Sequence, residues 1–447
     1  MTQGSGRQVG GRAAATVQIE VPAAVRELVA KLEEASFETW TVGGGVRDAV
    51  WGKRRAPEDW DLATRATPGE VRGIFRRTVP LGERHGTIGV FGADSRLYEV
   101  TTFRRDISTD GRRAVVAFAS SIDEDLARRD FTVNAMAWHP LRRALVDPHG
   151  GREDLARGIL RAVGDARLRF TEDRLRVLRG LRFAGSLGLE IEAETWAALV
   201  EAVAGLGILS AERVREEILK VLGGPRPSRA LGLYLSAGVV EKLLPELEGG
   251  IGDAALVTAD ALKGREPELP RLAALLLHGM GPAPDPDRVA ALLERLRFSN
   301  AEVRRVCAVV ESGLAPPTGL RDDLLRRRWM AAAARSSPTA LSDAFRVWRA
   351  HSQAVAAEGH REVQQAIAAI ERDLDAGIPM RTEELEISGT VLLARGWRPG
   401  PALGAALAAL LESVWIDPSL NTRSALLEMA DGLDPDGVLA ASTGKRR

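Results

Sequence analysis

The alternation of apolar and polar positions changes rhythm near residue 165. Before that point, short runs at 38–42, 60–63, 87–91, 97–103 and 145–146 are bounded by Gly, Pro or Asp and predict β-strands. Residues 22–35 carry apolar side chains at helical spacing and predict an amphipathic helix with Pro22 at its first position. Residues 46–51 and 68–75 predict shorter helices. Beyond residue 165 the pattern is helical almost throughout, with breaks at 223–227, 249–252, 281–286, 316–319 and 397–401. No fixed-period repeat is visible. The chain therefore predicts an α+β protein, in which a small α/β head is followed by a long all-helical remainder.

Composition fits this picture and adds two constraints. With 447 residues, 45% of them apolar and 27% charged, the chain can build a packed core. Acidic and basic residues are equal at 61 each, so a polyanionic partner must be held by local patches rather than by net charge. Six of the 61 basic residues are Lys and 55 are Arg, the side chain that forks onto phosphate. One cysteine, Cys307, excludes an internal disulfide and a cysteine-based zinc site, and its apolar helical surroundings predict a buried, inert thiol. No apolar run reaches the ~20 residues of a membrane span. Residues 1–21 read as a flexible tail without a secretory apolar core, and the expected location is cytoplasmic.

Chemistry concentrates in the head. Val42-Gly43-Gly44-Gly45-Val46-Arg47-Asp48 is a strand running through three glycines into a helix, a turn that lets backbone approach a ligand and offers free N–H groups to phosphate. Alone it more often marks only a tight turn. Asp59 and Asp61 are two apart in a strand and so share a face, which suits a hard divalent cation; alone they equally fit a helix cap and a solvent-facing acid. Glu99 is an acid inside a β-forming run, and joins them if its strand is adjacent.

Taken together, Gly43-Gly44-x-Val46-Arg47-Asp48 and Asp59-x-Asp61-Leu62-Ala63-Thr64 resemble the first motif of the class II tRNA nucleotidyltransferases and bacterial poly(A) polymerases. Further segments follow in the family's order: His85-Gly86-Thr87-Ile88, Glu99-Val100-Thr101-Thr102-Phe103-Arg104, Arg128-Arg129-Asp130-Phe131-Thr132-Val133-Asn134-Ala135, Arg169-Phe170-x-Glu172-Asp173-x-Leu175-Arg176 and Ser210-x-Glu212-Arg213-Val214-Arg215. Gly400-Pro401-x-Leu403-Gly404 is similar to part of its C-terminal tail.

The resemblance implies a polymerase-β-like nucleotidyltransferase head over residues 22–162, a helical neck over 163–225, a helical body over 226–315 and a tRNA-binding helical tail over 316–447. It implies template-independent addition of CCA to tRNA 3′ ends from CTP and ATP. Asp59, Asp61 and Glu99 would be catalytic, with Asp59 and Asp61 holding Mg²⁺. Gly44, Arg47, Arg129, Asp130, Asp173, Arg176, Arg179 and Arg182 would bind the nucleotide. Asp173 and Arg176 would select the base from one surface of a helix over 172–182 capped by Thr171, and Arg179 and Arg182 would hold phosphates or position that pair.

Two departures from the family pattern are visible. The segment from Phe103 to Arg128, which aligns with the family's flexible loop and includes Asp110-Gly111-Arg112-Arg113, is slightly short, which leaves CC-only addition open. At Leu277-His278-Gly279, Gly279 stands where many relatives carry the acid of a His-Asp phosphohydrolase motif, so His278 is expected to be structural. Poly(A) polymerase, A-only addition and a non-catalytic RNA-binding protein remain alternatives at this point.

Overall fold

The computed structural model describes residues 18–52, 59–83, 86–109, 114–247, 249–281, 284–337, 339–355 and 359–435. Residues 1–17 of the expected tail, His85 and the loop residues 110–113 lie outside the described residues. The chain divides into two compact units, Met1–Leu209 and Ser210–Arg447. That division falls inside the span expected to form the neck.

The first unit is built on a seven-stranded sheet. Its elements are α1 (Ala23–Glu34), β1 (Thr39–Val42), α2 (Gly44–Trp51), β2 (Asp61–Thr64), α3 (Pro68–Ile74), β3 (Thr78–Gly82), β4 (Thr87–Phe91) and β5 (Leu97–Thr102). There follow the β6 (Arg104–Thr109)–β7 (Ala114–Phe118) ribbon, α4 (Ile122–Ala127), β8 (Ala137–His139), β9 (Ala144–Val146) and α5 (Gly151–Arg157). The strand order is β3-β4-β5-β2-β1-β8-β9. Only β2 and β5 pair in parallel; the other neighbours are antiparallel. Every residue of β1 is buried, as expected of a strand at the centre of a covered sheet. Pro22 is the cap before α1 rather than its first residue, because its ψ of 149° is extended. Thr67 and Glu70 close a reciprocal capping box at the start of α3, with Pro68 at its first position.

Beyond the sheet come β10 (Ile159–Leu160), α6 (Ala166–Glu172), α7 (Leu175–Leu187), β11 (Glu190–Ile191) and α8 (Ala193–Ala202). One helix was expected across 172–182, and here the structure differs. Asp173 adopts an extended backbone (φ −148°, ψ 106°) that ends α6, and α7 restarts at Leu175. The Asp173 carboxylate accepts a hydrogen bond from the Leu175 N–H at 3.0 Å, so the side chain that breaks the helix also satisfies the new N-terminus. Thr171 is no cap: it lies within α6 and donates to the Arg167 carbonyl.

The second unit is helical among its described residues, from Ala211–Gly223 to Arg423–Asp431. Helices end or begin at the expected breaks, for example at Gly223, Pro227, Pro286 and Pro401. One apolar core gathers around Trp348, Met330, Ile370, Leu410 and Val414. Its buried charges are paired, as low dielectric requires: Arg326 and Arg327 both donate to Asp373. Arg271 is 2% exposed and has a different solution. Its guanidinium donates to the carbonyls of Leu222, Gly224 and Leu262, where the helices Ala211–Gly223 and Asp253–Ala261 end. A cation at two helix C-termini meets the negative ends of both dipoles.

His278 lies in the helix Glu268–Gly279, half-buried, its ring 5.2 Å from that of His351. Burial lowers the pKa of both. A Cβ on Gly279 would lie 2.9 Å from Leu247 Cδ2, so the packing leaves no room there for an acid without rearrangement. Cys307 is half-buried rather than buried, and burial raises its thiol pKa. Among the described residues, no helix is long and apolar enough to cross a membrane.

Candidate active site

The glycine turn is held open by what stands against it. Gly43 has a φ of +75°, which L side chains rarely adopt. A Cβ there would lie 3.2 Å from Asp61 Oδ2 and 3.5 Å from Arg129 Nη1. At Gly45 a Cβ would lie 2.6 Å from the Asp59 carbonyl oxygen and 3.2 Å from the Trp60 ring. The turn is thus pressed onto β2 and the two residues before it; Asp59, expected to share the strand with Asp61, lies before β2 and is exposed, so the two acids are not alternate residues of one strand.

Sheet register assembles those acids. Val42 on β1 pairs with Asp61 on β2, and Leu62 pairs in parallel with Val100 on β5. Glu99, one residue before Val100, is therefore level with Asp61 on the adjacent strand and on the same face. Burial, then the charges of Asp59 and Glu99, push the Asp61 carboxyl up to about 6, and Arg129 draws it only partly back. Burial is the larger cause, and the two neighbouring carboxylates add to it. Hard carboxylate oxygens in excess of nearby positive charge fit a divalent ion. Among the described residues, no group of three or more Asp, Glu, His or Cys side chains is placed to hold a metal ion.

The segment from Arg128 to Asn134 lies beside this turn. Arg128 and Arg129 both pair with the buried Asp125, at 2.9 and 3.1 Å. Burial would raise Asp125, but the two arginines hold it below the ordinary carboxylate value. Arg129 also donates to the Asn134 carbonyl. Asp130 is buried; its Oδ1 accepts from the Phe131 N–H and from Asn134 Nδ2, and its Oδ2 from Arg179. These partners outweigh burial and keep Asp130 below the usual range. Asn134 Oδ1 in turn accepts from Arg47 Nη1 at 2.8 Å, while Arg47 Nε pairs with Asp48.

Asp173 and Arg176 do not share one helix surface as expected, since Asp173 sits in the break before α7. Arg176 is buried, and its guanidinium donates to Glu172, to the Arg169 carbonyl and to the Arg128 carbonyl. These bonds fix its guanidinium in place. Gly44, Arg47, Arg129, Asp130, Arg179, Asp59, Asp61 and Glu99 are linked through the contacts above, apart from Gly44, whose Cβ would lie 3.6 Å from Arg47 Nη2. Arg182 joins Arg47 and Arg179 at the ring of Phe183.

Sequence reasoning missed Asp125, Asn134 as the partner of Arg47, and Phe183. Asp125 carried one usable signal, an acid three residues before Arg128 and four before Arg129 on a helix. The bond from Arg47 to Asn134 spans 87 residues and carried none.

Comparison with known proteins agrees with this geometry. The family model described as the poly A polymerase head domain matches residues 39–161, and the model of a probable RNA- and SrmB-binding site of polymerase A matches residues 188–250. The CCA-adding enzyme of Leuconostoc mesenteroides is 46% identical over 218 residues, covering 48% of this chain and 53% of that protein. In that alignment the chain spans about half the length of its relative. The CCA-adding enzyme of Lactiplantibacillus plantarum is 33% identical over 413 residues, covering 91% of this chain and 95% of that protein. The crystal structure of the Bacillus stearothermophilus CCA-adding enzyme in complex with CTP superposes with a TM-score of 0.71 at 30% identity, over 92% of this chain and 97% of that one. The Thermotoga maritima CCA-adding enzyme complexed with tRNA shares the fold, with a TM-score of 0.60 at 20% identity, over 92% of this chain and 96% of that one. With the L. plantarum alignment running nearly end to end through the head and the helical unit alike, this chain belongs to the family of CCA-adding enzymes.

Proposed function

We propose that the chain completes tRNA 3′ ends by adding C, C and A from CTP and ATP without a nucleic-acid template. The observation that carries the reading is Asp61, a carboxylate pushed up to about 6 between Asp59 and Glu99 and facing the glycine turn. The relatives reported above are CCA-adding enzymes, so the poly(A) polymerase alternative is not favoured.

In this reading Asp59 and Asp61 hold a divalent cation, taken to be Mg²⁺, beside Glu99. When bound, the cation stabilises negative charge on phosphoryl oxygens. The chain's own residues do the rest. Gly43 and Gly44 let the α2 N–H groups approach the triphosphate. Arg47, Arg129, Arg179 and Arg182 gather the charge that passes to pyrophosphate as the tRNA 3′-OH attacks the α-phosphorus in line. Asp130 and Asn134 hold Arg179 and Arg47 in position. Asp173 and Arg176 read the base edge: an acceptor for the exocyclic amine that CTP and ATP share, and a donor for the adjoining ring nitrogen. The second unit grips the acceptor arm by backbone and shape rather than sequence, in the cytoplasm.

The test supplies tRNAs ending at the discriminator base, at C or at CC, with CTP and ATP singly and together. Stepwise completion to CCA supports the reading. Addition that stops at CC selects the CC-only alternative, and A-tailing of any RNA without use of CTP overturns the reading.

A further inference from the structure

Phe183 has no role in the chemistry above, yet three arginines meet at its ring. The guanidinium carbons of Arg47, Arg179 and Arg182 lie 5.6, 5.2 and 4.3 Å from its centroid. Arg179 and Arg182 come from α7, four residues and one residue before Phe183, whereas Arg47 comes from α2. Three like charges drawn to one point repel one another, and they hold that arrangement only where something attractive sits between them. Asp48 and Asp130 each take one of the three, Arg47 and Arg179 respectively. Arg47 also donates to Asn134, and all three arginines meet the aromatic ring, whose π-face attracts cations. The ring is itself fixed: Phe131, fully buried and next to Asp130, meets it edge-to-face at 6.1 Å and 80°.

We infer that Phe183 is a positioning residue that gathers Arg47, Arg179 and Arg182 into one preformed site for the triphosphate. The inference rests on the proposed nucleotidyl transfer and deepens it. The ring touches no phosphate; it acts through the arginines, holding them together before the polyanion arrives so that nucleotide binding does not have to bring them there. A merely space-filling residue at this place would be replaced by Leu with little effect on phosphate binding. A ring that organises cations would be replaced only by another ring.

The test compares Phe183→Leu, Phe183→Tyr and wild type. Inorganic tripolyphosphate, which carries no base, is titrated by calorimetry, and KM and kcat for CTP and ATP are measured on a tRNA primer. Phe183→Leu is expected to weaken tripolyphosphate binding about five- to thirtyfold, with KM for both nucleotides raised by a similar factor. Its kcat at saturation is expected to stay within about threefold of wild type, and Phe183→Tyr within about twofold in every measurement. Equal losses in Leu and Tyr variants, or tripolyphosphate binding unchanged in Phe183→Leu, would overturn the inference. If wild type binds tripolyphosphate but transfers no nucleotide, the proposed function fails while the titration still decides the role of Phe183. Should Phe183→Leu not fold, the same titration on Phe183→Tyr decides: retention within that range supports the ring, and loss of binding overturns it.

Discussion

Replacing Asp61 by Asn removes a carboxylate that folding keeps ionised only at a cost. Its pKa rises from 3.8 to about 6 through burial and the charges of Asp59 and Glu99, against the partial attraction of Arg129. A shift of roughly two units at ~1.36 kcal/mol each gives a penalty of ~3 kcal/mol as an upper bound. The sign follows from linkage. A carboxyl whose folded pKa is raised favours the folded state fully below 3.8, and that contribution is lost as pH rises through about 6. Without a divalent cation, Asp61→Asn should therefore be more stable than wild type at pH 7.5, by up to ~3 kcal/mol, and the difference should shrink through pH 5 and vanish below pH 4. Urea titrations with a chelator at these pH values measure it. Added Mg²⁺ at about 100 times its dissociation constant should stabilise wild type by ~2.7 kcal/mol and the variant much less. Nucleotide addition by Asp61→Asn should fall by orders of magnitude in the same preparations. If the variant in chelator is no more stable than wild type at neutral pH, Asp61 does not sit in the field of Asp59 and Glu99 and the cation site is wrongly placed.

Gly45→Ala should cost ~1–3 kcal/mol and most of the turnover, because its Cβ would stand 2.6 Å from the Asp59 carbonyl. Gly69→Ala, a helical glycine with nothing within 4 Å, is the control and should be neutral or stabilising by up to ~1 kcal/mol in the same urea titration. Arg271→Ala should destabilise the protein by ~3 kcal/mol or more, since the carbonyls of Leu222, Gly224 and Leu262 lose their donor; a urea midpoint equal to wild type would contradict that. Asp173→Ala should admit UTP and GTP, narrowing a discrimination of roughly tenfold to hundredfold, and Arg176→Ala should slow both CTP and ATP; single-turnover addition of all four nucleotides checks both.

Much of the head was legible because its strands obey a simple period. Residues 87–91 form a strand with the expected bounds, and the expected runs at 38–42, 60–63, 97–103 and 145–146 each differ from the observed strand by one residue at one or both ends. The same period placed Asp61 and Glu99 in strands, with the neighbouring of β2 and β5 left for the register to supply; Asp59 falls before β2, so the period did not place it. β3 escaped notice because Pro80 interrupts its run; the strand tolerates the proline by lying at the sheet edge. The break at Asp173 escaped for a different reason. Residues 172–182 are good helix formers apart from Asp173, Val177 and Gly180, and summed local propensity favours continuity. What breaks the helix is a side-chain bond from Asp173 to its own backbone two residues on, a competition that sequence pattern does not weigh.

That break bears on how such an enzyme can choose a base without a template. The turn of the chain at Asp173 takes the acid off the helix, and Arg176 is anchored by Glu172 and the carbonyls of Arg169 and Arg128. The anchor on Arg128 ties Arg176, the arginine proposed to read the base, to the segment in which Arg129 faces Asp61, Asp130 holds Arg179 and Asn134 holds Arg47. A fixed acceptor and a fixed donor can reject a mismatched base only if they do not move to accommodate it, and hydrogen-bonded anchors limit that movement. If Asp173 and Arg176 read the base as proposed, base choice and phosphate placement share one short stretch of backbone, and a base that sits badly against that pair also presents its phosphates badly to the arginines around Phe183.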